Sequence, residues 1–210
     1  MAQPSAEALL DQFNVSRESR DRLRSYVSLL LRWQQRVNLI GASTVEQVWQ
    51  RHIGDALQLL HLMPPGDQNV VDLGSGAGIP GLVVAIATGA HADLYESNGK
   101  KAAFLREAIR HTGASATVHH TRIEKLGDGP ALPKVNVVLA RALAPLIQLL
   151  DYAVPFLEAG ATGLFHKGQS VEAELAAAKQ DWNLLYMVHP SMIDSHGVIL
   201  EVKEAHRVRS

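Results

Sequence analysis

The sequence predicts an α/β protein in which a seven-stranded, mostly parallel sheet follows an N-terminal helical extension. Apolar residues among the first 65 positions recur at three- and four-residue spacing, which is typical of amphipathic helices. From residue 69 onward, short β-prone runs alternate with helical runs, as in a parallel sheet built from βα units. Two β-prone runs near the end of the chain have no helix between them and predict a closing antiparallel pair. We therefore divide the chain into a helical extension, 1–65, and an α/β domain, 66–210.

Two helices are predicted within the extension. The first carries a stripe of large apolar side chains on one face, which we interpret as core packing. The stripe consists of Leu23, Tyr26, Val27, Leu30, Trp33 and Val37. The second helix covers 55–63 and ends at Pro64-Pro65-Gly66, because these residues cannot continue a helix.

The α/β domain is predicted to contain five βα units and the closing strand pair. The five parallel strands are predicted at 69–73, 92–96, 116–119, 135–140 and 161–166. Helices are predicted at 80–88, with Pro80 in the first turn, at 100–111, from Pro145 onward, and at 171–179. The closing strands are predicted at 184–188 and 198–202, and this closing pair distinguishes a methyltransferase sheet from an NAD-binding one.

A glycine-rich segment joins the first predicted strand to its helix and reads DLGSGAGIPG over 72–81. Glycines allow positive φ angles and a close approach of the backbone to a ligand, which the N–H groups of the helix start then face. Gly76, Gly78 and Gly81 satisfy the dinucleotide pattern G-x-G-x-x-G. Asp72 and Gly74, however, open D-x-G-x-G-x-G, the motif of class I S-adenosylmethionine-dependent methyltransferases. An acid there suits a cofactor with an ammonium and a sulfonium better than a pyrophosphate.

Two later segments are expected to complete the cofactor site. Glu96 ends the second predicted strand about 20 residues after Gly74, where an acid binds ribose hydroxyls in such folds. Both NAD and S-adenosylmethionine carry a ribose, so Asp72 and the closing strands favour the latter. Ile123 and Glu124 follow the third strand, at the sheet edge where an apolar side chain covers an adenine face. We predict a Rossmann-like class I methyltransferase that uses S-adenosyl-L-methionine.

Absent residues narrow the chemistry. The chain has no cysteine, which excludes thiolate-bound zinc, iron–sulfur clusters and the nucleophile of pyrimidine-C5 methylation. After the fourth strand it has 141-RALAP-145 instead of the Asn/Asp-Pro-Pro-aromatic motif of exocyclic-amine methyltransferases. The ten histidines show no metal-ligand spacing, and no metal is expected. The remaining acceptors include guanine N7, which is unprotonated at neutral pH and needs positioning rather than a base.

Several cations stand where a substrate would approach. Arg141 and Lys167 end the fourth and fifth predicted strands, and we assign both to catalysis, against the alternative of ordinary surface charge. Lys100, Lys101 and Arg122, together with Lys167, are predicted to contact RNA phosphates. A solvated helix face is the alternative for Lys100 and Lys101. The formal net charge of −1 shows that any RNA-binding surface must be local.

An ordered set of short motifs between about residue 25 and residue 175 resembles one family. The set is 31-LRW-33 with 37-VNL-39, 51-RHIGD-55, the glycine loop 74–81, 100-KK-101 with 104-FL-105, 122-RIE-124, 141-RA-142 and 167-KG-168. It is similar to the bacterial small-subunit ribosomal RNA guanine-N7 methyltransferases, long called glucose-inhibited division protein B. Departures from the family pattern occur at Gln34, Ile40, Ala56, Glu96 and Gly99.

The resemblance implies methylation of a guanine in 16S rRNA, in the 30S subunit or its assembly intermediate. It also implies cofactor contacts at Gly74, Ile79, Ile123, Glu124 and Arg141. No run reaches the roughly 18 apolar residues of a membrane span, and no signal peptide is recognised, so we expect a cytoplasmic monomer. Three alternatives remain: a methyltransferase with a non-rRNA substrate, a non-catalytic nucleotide- or RNA-binding module, and an NAD-dependent oxidoreductase.

Overall fold

The computed structural model describes residues 5–66, 68–128 and 132–208. It contains one seven-stranded sheet with the order β3-β2-β1-β4-β5-β7-β6. The strands are β1 Asn69–Leu73, β2 His91–Tyr95, β3 Ala116–His119, β4 Val137–Arg141, β5 Thr162–Lys167, β6 Trp182–Pro190 and β7 Val198–Arg207. Strands β1 to β5 are parallel, whereas β7 pairs antiparallel with both β5 and β6. The predicted mostly parallel sheet with a closing antiparallel pair is therefore confirmed.

The chain order along the sheet reverses at β1, which lies between β2 and β4. Successive connections therefore leave β1 and β4 toward opposite sides, and a crevice opens outside their carboxyl ends. The glycine-rich segment, Glu96 and Arg141 all follow or end strands at this edge. Strand pairing thus gathers residues that are far apart in sequence.

The extension begins with α1 (Ala6–Gln12) and α2 (Arg17–Gln34), each started by a serine cap. Ser16 Oγ accepts the N–H of Ser19 and thereby satisfies one of the N–H groups that a helix start leaves open. Leu23, Tyr26, Val27 and Leu30 are buried, as the stripe predicts, and Trp33 is half-buried. The prediction that Val37 belongs to this helix is wrong, because α2 ends at Gln34 and Val37 lies in the following turn.

The second predicted helix of the extension, 55–63, is irregular. A 3-10 turn at Ala42–Gln47 precedes a π-helical turn at Trp49–Gly54, a short α3 (Asp55–Leu57) and a 3-10 turn at Gln58–His61. A π-helical turn changes the angular spacing of side chains and is frequent at functional sites. Here it precedes Asp55 and includes His52, and both side chains reach Arg141.

The helices of the α/β domain are α4 (Gly81–Thr88), α5 (Gly99–Thr112), α6 (Leu146–Glu158) and α7 (Val171–Ala178). Pro80 occupies the position before α4 rather than its first turn. Asn98 caps α5, since its side chain accepts the N–H groups of Lys100 and Lys101. Gly113 ends α5 in the left-handed conformation, with φ of +65°.

One apolar core joins the extension to the sheet. Leu10, Tyr26 and Leu30 belong to the same buried cluster as Leu105 of α5 and Leu139 of β4. A second cluster on the other face of the sheet packs α6 and α7 against it. The apolar core is therefore continuous across residue 65, where the sequence pattern changes from helical to alternating strands and helices. Within the described ranges, no helix is long and apolar enough to cross a membrane.

Candidate active site

The glycine-rich segment forms a tight turn between β1 and α4. Gly74, Gly76 and Gly78 have φ angles of +71°, +58° and +84°, a region that other L-residues adopt at a cost. The Ser75 N–H donates to the carbonyl of Tyr95, and the Gly78 N–H donates to the carbonyl of Ser75, at 2.9 and 2.7 Å. A Cβ added at Gly74 would lie 2.6 Å from Leu143 Cδ1. A side chain at position 74 would therefore be strained by its backbone angle and would displace Leu143.

Asp72 lies beneath this turn with no exposed surface. Its Oδ2 accepts the Gly81 N–H at 2.9 Å and so ties the end of β1 to the start of α4. Burial raises the pKa of this carboxyl to about 7, although the bond from Gly81 opposes the rise. Its Oδ1 has no hydrogen-bond partner among the described residues. The structure thus gives Asp72 a role in shaping the loop, and direct contact with a cofactor stays a prediction.

Glu96, the residue after β2, links the glycine loop to α5. It is 7% exposed, its Oε2 accepts the Gly76 N–H at 2.8 Å, and its Oε1 accepts the Asn98 N–H at 2.6 Å. Each carboxylate oxygen has a second lone pair. Glu96 can therefore hold the loop and still accept a ligand hydroxyl.

A cavity of about 260 Å³ opens at the carboxyl ends of the strands. Its lining consists of Gly74, Tyr95, Glu96, Ser97, Ile123, Glu124, Leu143, Ala144, Gln148 and Tyr152. Four predicted cofactor residues, from three separate segments, meet there. The other predicted loop residues, Asp72, Gly76, Gly78 and Ile79, shape the turn beside it. Ile79 itself is only 8% exposed.

Sequence reasoning missed the contribution of α6 to this cavity. Gln148 donates to the Tyr152 hydroxyl at 2.6 Å, and that hydroxyl donates to Glu124 Oε1 at 3.1 Å. The spacing of Gln148 and Tyr152, four residues apart on a helix that follows β4, is the signal that could have found them.

A larger cavity of about 510 Å³ lies at the opposite edge of the sheet. It borders Asn69 and His91, the first residues of β1 and β2, and none of its described lining residues is an acid, lysine or arginine. Parallel α/β sheets bind ligands at the carboxyl ends of their strands. The smaller cavity is therefore the candidate site.

Arg141 ends β4 and faces the extension. One guanidinium nitrogen, Nη2, donates to His52 Nδ1 at 2.8 Å and to the Arg51 carbonyl at 3.2 Å. The other, Nη1, lies 3.4 Å from Asp55 Oδ2. Burial lowers the pKa of Arg141, and the charge of Asp55 opposes this. Arg141 thus fastens the π-helical turn to the end of β4, and it lies outside the lining of the 260 Å³ cavity.

The hydrogen bonds of His52 define its tautomer. Arginine only donates, so Nδ1 is the acceptor and Nε2 carries the proton. Nε2 lies 2.7 Å from Thr44 Oγ1, and the Thr44 hydroxyl donates to the Gly41 carbonyl at 2.8 Å. A chain of hydrogen bonds, each donating to the next group, therefore runs from Arg141 through His52 and Thr44 to the Gly41 carbonyl. Burial lowers the pKa of His52 to about 4, with the charges of Arg141 and Arg51 adding to the effect.

His166 is a residue that sequence reasoning missed. It pairs in register with Arg141 across β4 and β5, and its Nε2 donates to the Asp55 carbonyl at 2.8 Å. Its Nδ1 has no partner in the described part of the chain, and burial lowers its pKa. Asp55 consequently contacts residues at the carboxyl ends of two neighbouring strands, β4 and β5. The signal in the sequence was the strand-end position beside Lys167.

Lys167 ends β5 and is turned into the protein. Its side chain is 7% exposed, and Nζ donates to Glu174 Oε2 at 2.7 Å and to the Ala144 carbonyl at 3.1 Å. Glu174 Oε2 also accepts the Leu146 N–H at 2.8 Å. Lys167 thus fixes the turn that walls the cavity, and an RNA contact would require this pairing to break.

The other predicted RNA contacts are close in the chain to Ser97 and Ile123, which line the cavity. Lys100 and Arg122 are exposed and Lys101 is half-buried, and among the described residues none has a carboxylate within 4 Å. His120, the residue after β3, has its Nε2 atom 3.2 Å from the Ser97 carbonyl. This contact brings the segment that follows β3 close to the segment that follows β2.

Several solved structures share this fold. The chain superposes on M. jannaschii TYW2 in complex with AdoMet with a TM-score of 0.57 and 14% identity, covering 83% of this chain and 80% of that one. It superposes on the precorrin-6y C5,15-methyltransferase from Geobacter metallireducens with a TM-score of 0.50 and 16% identity, covering 79% and 90%. At these identities the likeness concerns the fold alone.

Sequence comparisons give the family. The family model described as GidB, rRNA small subunit methyltransferase G, matches residues 19–202. A relative named ribosomal RNA small subunit methyltransferase G from Methylorubrum populi is 47% identical over 205 residues, or 95% of each chain. One of the same name from Paramagnetospirillum magneticum is 45% identical over 204 residues, covering 97% of this chain and 98% of the relative. The resemblance seen in the motifs is confirmed, and this chain belongs to the rRNA small subunit methyltransferase G (GidB) family.

Proposed function

We propose that this protein transfers a methyl group from S-adenosyl-L-methionine to N7 of a guanine in 16S rRNA. The observation that carries the proposal is the strand-edge cavity that unites Gly74, Glu96 and Ile123 in a chain matched by the family model over 19–202. A non-rRNA substrate, or binding without turnover, is the alternative.

The residues of the cavity fit the cofactor. Gly74 permits the close backbone approach, and Glu96 accepts the ribose hydroxyls through its second lone pairs. Ile123 covers the adenine face, beside Glu124. Gly76, Gly78, Ile79 and the buried Asp72 hold the loop in shape. When bound, the cofactor supplies an electrophilic methyl group on a sulfonium.

Guanine N7 is a ready nucleophile, so the protein must position the base and need not remove a proton. We assign that positioning to the segment 142–146, which walls the cavity and is held from two sides. Arg141 anchors its start to the extension, and Lys167 bonds the carbonyl of Ala144. Both residues, first assigned to catalysis, act in this proposal by holding the site.

The RNA partner is 16S rRNA, within the 30S subunit or an intermediate of its assembly. Lys100, Lys101 and Arg122 supply phosphate contacts at the mouth of the cavity, and Lys167 does so only if it leaves Glu174. We further propose that the enzyme acts as a cytoplasmic monomer.

The test is methyl transfer from labelled S-adenosylmethionine to 30S subunits and to 16S rRNA from cells that lack the gene, with the labelled nucleoside identified. We expect labelled 7-methylguanosine at one site. Binding of S-adenosylhomocysteine without label on RNA would overturn the substrate. Binding of NAD in its place would overturn the cofactor as well.

A further inference from the structure

We propose that the end of α2 forms a second RNA-binding site in which an unpaired base stacks on Trp33 and flanking phosphates bind Arg32 and Arg36. The proposal rests on the proposed function, because it takes ribosomal RNA as the ligand. It adds a contact surface whose residues are distinct from the lining of the cofactor cavity.

The arginines of α2 and its following turn differ in their pairing. In the first half of the helix, Arg20 bonds Asp11, Arg22 bonds Glu18, and Arg24 bonds Glu7 and Asp21. Arg32 and Arg36, like Arg17 at the helix start, are exposed and have no carboxylate within 4 Å in the described ranges, although the charge of Arg32 contributes to lowering the pKa of Glu107. Two cations without internal partners are left to bind an external anion.

These two arginines flank a groove of about 440 Å³. Its lining is Arg32, Trp33, Gln35, Arg36 and Val37. The Trp33 ring also meets the Phe104 ring edge-on, with 5.7 Å between the centroids and 64° between the planes. The half-buried indole is therefore held in place by the core while part of it lines the groove.

The turn that closes the groove is fixed by Gln34. Its Oε1 accepts the N–H groups of Leu39 and Ile40 at 2.8 and 3.0 Å, and its Nε2 donates to the Ile40 carbonyl at 2.8 Å. Gln34 is one of the departures from the family pattern. A side chain that bonds three backbone groups keeps the groove preformed, which reduces the entropy lost on binding.

The groove is linked through α5 to the predicted RNA-contacting lysines. Phe104, which contacts Trp33, lies three and four residues after Lys101 and Lys100 on α5, so the three share one helix face. The Tyr26 hydroxyl donates to the Ala77 carbonyl at 2.6 Å and fixes α2 against the glycine loop. The distance between the groove and the reacting site is thus set by rigid contacts.

An aromatic platform between unpaired arginines matches single-stranded RNA. Proteins recognise unpaired bases by stacking them on aromatic rings or guanidinium planes, and they hold the adjoining phosphates with cations. An acidic protein segment would use the two cations without the indole. The indole therefore favours RNA over a ribosomal protein.

The first test compares two double variants that each remove two positive charges, one at the end of α2 and its following turn and one at the start of α2. Arg32→Ala/Arg36→Ala changes the groove, whereas Arg17→Ala/Arg22→Ala changes two residues in the first half of α2, outside the groove. Binding to protein-free 16S rRNA is measured over a series of salt concentrations. We expect the slope of log K against log salt to fall by about 0.7 to 0.9 for each lost phosphate contact in the groove variant alone. S-adenosylhomocysteine affinity should equal that of the unaltered protein in both.

Equal slopes in the two double variants would overturn the inference, as would a difference seen only with 30S particles, which would assign the groove to a protein. The proposed function would survive either result if the unaltered enzyme still methylates 30S subunits. Absence of that methylation would overturn the function and, with it, the inference.

The second test follows tryptophan fluorescence. The chain has three tryptophans, of which Trp182 is 1% exposed and Trp49 is half-buried outside the groove. We expect RNA to quench the fluorescence of the unaltered protein and of Trp49→Phe. In Trp33→Phe, which keeps an aromatic ring against Phe104, the quenching should be lost. Unchanged quenching in Trp33→Phe would remove the indole from the site.

Discussion

Arg141 donates a hydrogen bond to Nδ1 of His52 over 2.8 Å, and this contact joins the end of β4 to the π-helical turn of the extension. The acceptor must be neutral, because a protonated imidazole has no lone pair to offer. The surrounding burial and the charge of Arg51 keep it so. The hydrogen bond that holds Arg141 at the end of β4 therefore requires His52, in the extension, to stay neutral.

Replacing His52 should loosen Arg141. We expect His52→Ala to lower the free energy of unfolding by about 1 to 3 kcal/mol, the cost of leaving a buried donor unsatisfied, and to reduce methyl transfer. His52→Asn is the matched control, since its amide oxygen can accept from Arg141. Urea unfolding and steady-state kinetics measure both effects. If Asn is no better than Ala, the hydrogen bond to Arg141 is not what matters at this position.

Acid should destabilise the protein through His52. In the unfolded chain His52 takes up a proton near pH 6.5, whereas in the folded protein its pKa is about 4. Unfolding therefore binds a proton between these values, and stability falls as the pH drops through this window, by at most about 3 kcal/mol. Above pH 6.5 both states are neutral and the contribution vanishes.

Other buried groups titrate in the same range, so the measurement needs a comparison. The raised pKa of Asp72 stabilises the folded state as the pH falls below 7, and His166 acts in the same direction as His52. Urea unfolding of the unaltered protein and of His52→Asn at pH 7 and pH 5 separates them. The unaltered protein should lose more stability than the variant, and identical losses would contradict the assignment.

Removing the Glu96 carboxylate should weaken cofactor binding. We expect Glu96→Ala to reduce the affinity for S-adenosylhomocysteine by about 1 to 3 kcal/mol, the range for a charged hydrogen-bond partner. The variant also leaves the N–H groups of Gly76 and Asn98 without their acceptor. Glu96→Gln keeps an acceptor and should lose less. Calorimetric titration decides, and an unchanged affinity would place the ribose elsewhere.

The requirement for glycine at position 74 can be separated into strain and clash. Gly74→Ala puts a methyl group 2.6 Å from Leu143 at φ of +71°, whereas Gly89→Ala has φ of +80° with nothing within 4 Å. Both should lose about 1 to 2 kcal/mol of stability from the left-handed backbone. Only Gly74→Ala should also lose cofactor binding, because Leu143 lines the cavity.

Shortening the neighbouring side chain supplies the control for this clash. The double variant Gly74→Ala/Leu143→Ala should bind S-adenosylhomocysteine better than Gly74→Ala alone, as a thermal-shift titration would reveal. If the affinity for S-adenosylhomocysteine in Gly74→Ala equals that in Gly89→Ala, close contact with Leu143 is not the reason for glycine at this position.

Local patterns in the sequence explain why the sheet and several residues at the carboxyl ends of its strands were predictable. The β1 range Asn69–Leu73 agrees with the prediction, because the periodicity of apolar residues in the sequence distinguishes strands from helices. The meeting of Gly74 and Glu96 in one cavity was predictable because a glycine turn and a strand-end acid have a fixed spacing in this fold, and their contact with a cofactor stays a prediction. Val37 was misassigned because α2 stops at Gln34, whose side chain bonds the following turn in preference to continuing the helix.

The sequence by itself determined the order of the elements, the glycine loop and the family, since each depends on neighbouring residues or on an ordered set of short motifs. Only the tertiary structure decided the partners of the strand-end residues. His52 and Arg141 are 89 positions apart, and Asp55 and His166 are 111. Lys167, which is predicted to contact RNA, bonds Glu174 inside the protein. Such pairs form because packing removes the side chains from water. A buried charge without a partner is costly, and the fold alone determines which distant residue lies close enough to pair with it.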